Sequence, residues 1–168
     1  MTIALRSSSD LWTAATRHLR GAPERVMFLA ATGDQPVTIA DSLFVDDEDL
    51  EPGPFCVHLT ERAQQRVLRW AAVVDGWIIE MHSHLGAYGD PARMSPTDVS
   101  GLGEWVPHVR WRLQQRPYAA LVLGPHTLDG VAWTGEKDAP PIAIKAWDVD
   151  GTTMVTTGLS LASFAPPT

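Results

Sequence analysis

The chain has 168 residues, of which 45% are hydrophobic, and a formal net charge of -7. This length fits a single domain that can bury a substantial core. The acidic balance argues against a nucleic-acid partner, since nucleic-acid surfaces usually show clustered Lys and Arg. Cys56 is the one cysteine, which excludes an intrachain disulfide and a zinc site built from several cysteines.

The segment from Met1 to Arg20 contains no apolar stretch typical of a signal peptide. No apolar run in the sequence approaches the roughly 18 residues needed to cross a bilayer. We therefore expect a cytoplasmic protein with no membrane partner. The densest charge run, Asp46–Asp49, predicts a solvated loop, and the alternative is that it attracts a basic segment of a partner.

The first half of the sequence is predicted to alternate helices with strands. Ser9 or Asp10 can cap a helix that continues to Leu19, because its apolar residues recur at near-helical spacing. Thr60 can cap a second helix that continues to Ala72. Between these helices, two apolar segments flank a Gly-Asp turn and predict strands at 25–31 and 37–45.

The second half begins with an apolar segment at 77–79, which predicts a buried strand leading into the histidines. Ser95 and Pro96 predict a helix start, with Ser as the N-cap and Pro at the first helical position. Gly101 and Gly103 predict that this helix is short or interrupted, and Pro107 predicts a bend or a new segment. Further strands are predicted at 118–123, 130–133 and 142–147, and the tail from 151 is expected to be extended and then to fray.

Two histidines and a carboxylate predict a metal site. In a strand, residues at i and i+2 point to the same face, so His82 and His84 can reach one ion together. Ten residues separate His84 from Ser95, and Asp98 then falls in the first helical turn, where the helix dipole favours a carboxylate. Two imidazoles and one carboxylate leave a fourth tetrahedral position open, which is typical of catalytic zinc.

These residues resemble the signature of the JAMM metallopeptidases, the zinc peptidases of the MPN-domain family. In that family a His-x-His pair is followed, after a spacer of similar length, by Ser-x-x-Asp. The resemblance implies that His82, His84 and Asp98 bind Zn²⁺. It also implies that Ser95, besides capping its helix, donates a hydrogen bond to the oxyanion formed during hydrolysis.

The family also has an upstream glutamate that begins a hydrophobic strand and acts as the general base. Glu24 matches this position, because it directly precedes an apolar segment and follows a helix-like stretch. The alternative is Glu80, which lies two residues before His82 and therefore on the same strand face. We prefer Glu24, because Glu80 stands where the family usually has an apolar or aromatic residue.

The resemblance covers roughly residues 11–147 and implies an α/β fold. We expect a single MPN domain over residues 1–168, similar to the deaminase-like fold, in which helices flank a mixed β-sheet. Residues 148–168 are then a C-terminal extension of this domain.

The function implied by the resemblance is hydrolysis of a peptide or isopeptide bond after the C-terminal glycine of a ubiquitin-like protein. The expected substrate is therefore such a protein or its conjugate. E1-like and E2-like enzymes of the same pathway, including antiviral pathways, are the expected partners. Three alternatives stay open: a cell-wall peptide hydrolase of the phage-tail type, a RadC-like DNA-associated protein, and a non-catalytic MPN scaffold.

Overall fold

The computed structural model describes residues 2–21, 24–51, 58–86 and 88–165. Its α-helices are α1 (Ser9–Leu19), α2 (Glu61–Val73) and α3 (Pro96–Arg112). Its strands are β1 (Ile3–Ser7), β2 (Val26–Thr32), β3 (Val37–Phe44), β4 (Leu50–Glu51), β5 (His58–Leu59), β6 (Trp77–Ser83), β7 (Tyr118–Leu123), β8 (Leu128–Trp133), β9 (Ile142–Val149) and β10 (Thr152–Val155). Two 3-10 helices complete these elements, at Asp47–Asp49 and Ser160–Phe164.

Seven strands close into a mixed β-barrel, so the expected MPN fold of helices flanking an α/β sheet is wrong. The strand order is β1-β3-β2-β6-β7-β8-β9, and β1 pairs again with β9 to close the ring. β10 extends the sheet by pairing antiparallel with β9. β4 and β5 form a separate two-stranded sheet.

The strand that closes the barrel is β1, which the sequence patterns do not predict. β1 runs parallel to both of its neighbours, so that Leu5 lies between Val37 of β3 and Trp147 of β9. Without this strand the remaining six would form an open sheet. The expected fold therefore differs from the observed one because a short N-terminal strand finds two partners far away in the sequence.

Alternating residues of the barrel strands contribute to two apolar clusters. The inner cluster lies inside the barrel and includes Leu29, Ile79 and Leu121, with α1 packed against it through buried Ala15 and Leu19. The outer cluster covers the opposite face of β2, β6 and β7. It includes two buried residues of α2 and three of α3, namely Val67, Ala71, Leu102, Val106 and Val109. Helices α2 and α3 therefore lie on the outer face of the barrel.

Helix α3 continues to Arg112, so the predicted interruption at Gly101 and Gly103 and the predicted new segment at Pro107 are wrong. Pro107 cannot donate a backbone hydrogen bond, which normally weakens a helix interior. The helix nevertheless buries Leu102, Val106 and Val109 against the outer cluster. This burial outweighs the unfavourable local propensity, since tertiary packing provides most helical stability in proteins.

The acidic run provides a buried anchor for α2. Asp47 and Glu48 are exposed, as expected for a solvated segment, but Asp49 is only 3% exposed. The Asp49 carboxylate contacts Nη2 of Arg62 at 3.0 Å and Nη2 of Arg66 at 2.7 Å. The prediction of a solvated loop is therefore wrong for Asp49, because two arginines of α2 neutralise its charge.

The C-terminal segment packs onto the outer cluster through Leu161 and Phe164. Asp129 of β8, which is fully buried, accepts hydrogen bonds from the backbone N–H groups of Gly158 and Ser160 at 2.8 and 2.7 Å. The Ser160 hydroxyl in turn accepts a bond from the backbone N–H of Met94 at 2.9 Å. This segment therefore supports the chain just before α3.

Among the described residues, no helix combines the length and apolar character that a membrane span requires. Cys56 lies outside the described residues.

The closure of the barrel predicts that β1 is essential to stability. Replacing fully buried Leu5 with Ala should lower the free energy of unfolding by about 2–5 kcal/mol, because it leaves a cavity between β3 and β9. The same substitution at Leu159, which is 44% exposed, should change it by less than about 0.5 kcal/mol. Chemical denaturation measures both values, and equal effects would contradict the closure by β1.

Candidate metal centre

The two histidines lie at the end of β6, on the outer face of the barrel. β6 pairs antiparallel with β2, which places His82 opposite Val26. His84 follows the strand, and its backbone N–H donates to the carbonyl of Leu123 at 2.9 Å. Both side chains are buried, and their ring centroids are 4.9 Å apart. The strand therefore presents two imidazoles to one point.

Asp98 approaches the histidines from the first turn of α3. Ser95 is the N-cap of this helix, and its hydroxyl accepts a hydrogen bond from the backbone N–H of Asp98 at 3.2 Å. The Asp98 carboxylate returns the contact by accepting from the backbone N–H of Ser95 at 2.6 Å, which completes a capping box. The capping box at the start of α3 thereby fixes the rotamer of the Asp98 side chain.

The loop between the two halves of the motif packs on the turn after β7. Thr127 accepts a hydrogen bond from the backbone N–H of Ala92 at 2.7 Å and donates to Asp90 at 3.0 Å. Gly124 allows the close approach, since a Cβ there would lie 1.5 Å from the carbonyl oxygen of Gly89. These contacts hold α3 at a fixed position relative to β6.

The three side chains fit a metal ion. One ligand atom from each of His82, His84 and Asp98 lies within 4.8 Å of the others, so the group could hold an ion. The carboxylate oxygens of Asp98 lie 3.6 Å from Nε2 of His82 and 3.1 Å from Nε2 of His84. A tetrahedral ion with bonds of about 2.0–2.1 Å separates its ligands by about 3.4 Å.

An unpartnered nitrogen supports this fit. Nε2 of His82 is buried and has no hydrogen-bond partner among the described residues. Buried polar atoms in native proteins are nearly always satisfied, and a missing ion is one explanation for an exception. A ligand role for His82 accounts for this nitrogen.

The ionisation of these groups is strongly coupled. Burial raises the pKa of Asp98, but its interactions with the imidazoles of His82 and His84 outweigh this effect and hold the pKa below its usual range. Burial lowers the pKa of His82, but the adjacent Asp98 carboxylate, followed by Glu80 and Glu24, outweighs burial and raises it. The site therefore concentrates negative charge around His82, which also favours a cation.

Glu24 lies beside the ligands, just before β2. Its Oε1 accepts a hydrogen bond from the backbone N–H of Leu85 at 3.0 Å. The backbone N–H of the next residue, Arg25, donates to the hydroxyl of Ser83 at 3.1 Å. These bonds hold the segment before β2 against the end of β6. Glu24 therefore lines the same cavity as the histidines.

Glu80, the alternative base, also lines this cavity, but it is held differently. Its Oε2 accepts a hydrogen bond from the hydroxyl of Tyr118 at 2.7 Å. Burial raises the pKa of Glu80, and the charge of His82 and the bond from Tyr118 offset this only in part. The structure therefore brings both candidate carboxylates to one site, in different environments.

The hydroxyl of Ser95 is engaged at the helix start. It donates to Oδ2 of Asp98 at 2.8 Å while it accepts from the backbone N–H of the same residue. In this arrangement its proton points to a ligand rather than to an oxyanion. The contacts assign Ser95 to the orientation of Asp98, and oxyanion binding would require this hydroxyl to turn.

All these groups line one cavity of about 540 Å³ between β6, α3 and the start of α2. Several residues that line this cavity are not predicted by the sequence patterns, because they become neighbours only through strand pairing and helix packing. Phe28 lies opposite Glu80 in the register of β2 with β6, and Trp105 lies on the inward face of α3. The missed lining residues include Phe28, His58, Leu59, Gln64, Leu102 and Trp105.

Comparison with known proteins does not place the chain in a family. No family model matches the sequence, and no curated protein matches it. The likeness to JAMM metallopeptidases therefore depends on the spacing of His82, His84, Ser95 and Asp98 alone.

The ligand set predicts how metal binding responds to substitution. His84→Ala and Asp98→Ala each remove a ligand and should weaken binding of added Zn²⁺ more than about 100-fold, since losing a residue that only orients a ligand costs about 10–100-fold. His58→Ala is the matched control, because His58 lines the same cavity but is not one of the three candidate ligands. Metal content after dialysis measures the effect, and an equal loss in His58→Ala would contradict the assignment.

The capping box predicts a second effect of Ser95. Ser95→Ala should lower the free energy of unfolding by about 1 kcal/mol, as expected for a lost N-cap. It should also weaken metal binding by about tenfold, because it frees the Asp98 carboxylate from its hydroxyl partner. Thr60→Ala removes the N-cap of α2 and should lower the free energy of unfolding without changing the affinity for metal. Unchanged metal affinity in Ser95→Ala would show that this hydroxyl does not orient the ligand.

Proposed function

We propose that the protein is a zinc-dependent metallopeptidase. Its active site lies at the N-terminus of α3 and hydrolyses an amide bond of a substrate. The observation that carries this proposal is the convergence of His82, His84 and Asp98 with a separate carboxylate, Glu24, in one cavity. Three ligands leave one coordination position open, which is typical of catalytic rather than structural zinc. A bound zinc ion supplies a Lewis acid that polarises a carbonyl group and makes water acidic near neutral pH.

Glu24 is proposed as the general base. It accepts a proton from the water whose oxygen forms the new bond to the carbonyl carbon, and it passes this proton to the amine that leaves as the C–N bond breaks. The bond from the backbone of Leu85 fixes the carboxylate next to the segment that carries His84. Ser95 acts through Asp98, which it holds towards the two imidazoles.

The substrate class is proposed from the JAMM-like spacing of the motif. On this basis, the scissile bond follows the C-terminal glycine of a ubiquitin-like protein, either in a conjugate or in a precursor. E1-like and E2-like enzymes would then act in the same pathway. Since the barrel differs from the fold that this resemblance implied, the proposal depends on the site and not on the fold.

The charge of the cavity argues against the RadC-like alternative. The described lining residues include three carboxylates, Glu24, Glu80 and Asp98. No Lys or Arg is found among these lining residues. Proteins that bind nucleic acid neutralise phosphates mainly with Lys and Arg. A phosphodiester backbone would therefore be repelled here, whereas an amide would not.

Cleavage assays with zinc-loaded protein test the proposal. Fusions of ubiquitin-like proteins to a reporter should be cut by the wild type, and removal of zinc with a chelator should abolish cleavage until zinc is restored. Glu24→Gln should reduce the rate by about 100-fold to 10,000-fold, as expected for loss of a general base. Its zinc content should stay at the wild-type value, because Glu24 is not in the ligand group.

Glu80→Gln is the matched control for the base, since it changes the other glutamate of the cavity. A wild-type rate in Glu24→Gln, combined with a lost rate in Glu80→Gln, would transfer the role of base to Glu80. Cleavage that persists after complete removal of metal would contradict the metallopeptidase proposal altogether.

A further inference from the structure

Glu80 lines the cavity but has no role in the proposed catalytic steps. It lies two residues before His82 in β6, so that both side chains project from the same face of the strand. This spacing corresponds to about 6–7 Å along the strand. A group bound at Glu80 would therefore lie within one or two residues of the bond cleaved at the metal.

The Glu80 carboxyl is held by a chain of two hydrogen bonds. The indole Nε1–H of Trp105 donates to the hydroxyl of Tyr118 at 2.9 Å, and this hydroxyl donates to Oε2 of Glu80 at 2.7 Å. The chain connects α3, β7 and β6. It fixes the carboxyl in one orientation, as expected for a group that recognises a ligand.

The second carboxyl oxygen faces the cavity. Within the described part of the chain, Oε2 of Glu80 accepts the bond from Tyr118 and Oε1 receives none. The Glu80 side chain is partly exposed where it lines the cavity. It is therefore open to the cavity that Glu80 lines. No Lys or Arg is found among the described lining residues, and His82 is the cationic group whose charge acts on Glu80.

The walls next to Glu80 are apolar. Phe28 lies directly opposite Glu80 across the β2–β6 pair, and Leu102 and Trp105 project from α3. Such walls bury the methylene groups of a long side chain, and the face of an indole ring attracts a cation. The combination of apolar walls and an open carboxyl oxygen suits a side chain with an apolar stem and a basic end.

We propose that Glu80 recognises the basic side chain, ammonium or guanidinium, of a substrate residue next to the scissile amide. This inference rests on the proposed peptidase function, whose specificity it defines. Glu80 is thereby a specificity-determining residue, and Glu24 is the carboxylate that moves the proton.

A binding measurement tests this role without depending on cleavage. Calorimetric titration of the zinc-loaded full chain compares n-butylguanidinium with n-butylurea, which has nearly the same shape but no charge. The guanidinium should bind at least about tenfold more tightly, because a charge-assisted hydrogen bond to a carboxylate is about twice as strong as a neutral one. Equal affinities in the wild type would overturn the proposal.

Two substitutions locate the effect within the cavity. Glu80→Gln keeps an acceptor for the Tyr118 hydroxyl but removes the charge, so the preference for guanidinium should disappear. Glu24→Gln removes the other carboxylate and should retain the preference. A preference that survives in Glu80→Gln, or that falls equally in both variants, would contradict specific recognition by Glu80.

A crystal structure of the wild type with n-butylguanidinium gives an independent test that does not depend on a variant. The guanidinium should lie about 2.7–2.9 Å from Oε1 of Glu80, as is typical of charge-assisted bonds. A guanidinium bound elsewhere, or none in the cavity, would overturn the proposal even if Glu80→Gln fails to fold.

Cleavage of a peptide series separates this inference from the proposed function. Peptides that carry Lys or the uncharged norleucine at each position near the cleaved bond should show a preference for Lys at one position, of about tenfold in kcat/KM. Cleavage of both peptides at equal rates would contradict the role of Glu80 alone. Cleavage of neither, with guanidinium still bound at Glu80, would contradict the peptidase function alone.

Discussion

β6 divides its side chains between two environments, and this division determines both the core and the candidate metal centre. Ile79 and Met81 face the interior of the barrel, whereas Glu80 and His82 face the cavity under α3. A shift of one residue in the pairing of β6 would exchange these sets. The inner cluster would then contain a carboxyl and an imidazole, so hydrophobic burial keeps His82 in its position.

Asp98 has two structural roles that reinforce each other. Its carboxylate caps α3 through the backbone N–H of Ser95, and the same group faces His82 and His84. A negative charge in the first turn is also favoured by the helix dipole. The Asp98 carboxylate is therefore oriented by interactions that would stabilise the helix without any metal, and little reorganisation would be needed to bind an ion.

Local patterns predicted the strand that ends at His82 and the helix that begins after Ser95, because alternation and capping depend on neighbouring residues. They could not predict the barrel, because β1 is a short strand whose two partners lie far away in the sequence. The same limit applies to Asp49, which reads as solvated until the arginines of α2 fold against it. The walls of the cavity, such as Trp105, likewise depend on tertiary packing.

The separation of the ligands along the chain has a thermodynamic consequence. His84 follows β6 and Asp98 belongs to α3, and Asp90 and Ala92 of the loop between them contact Thr127 in the turn after β7. In an unfolded chain these side chains would rarely lie within reach of one ion. An ion that binds only the folded protein stabilises it by RT ln(1 + [ion]/Kd), which is about 2.7 kcal/mol at 100 times Kd. An ion held by this group would thus raise the free energy of unfolding as its concentration in the surroundings rises.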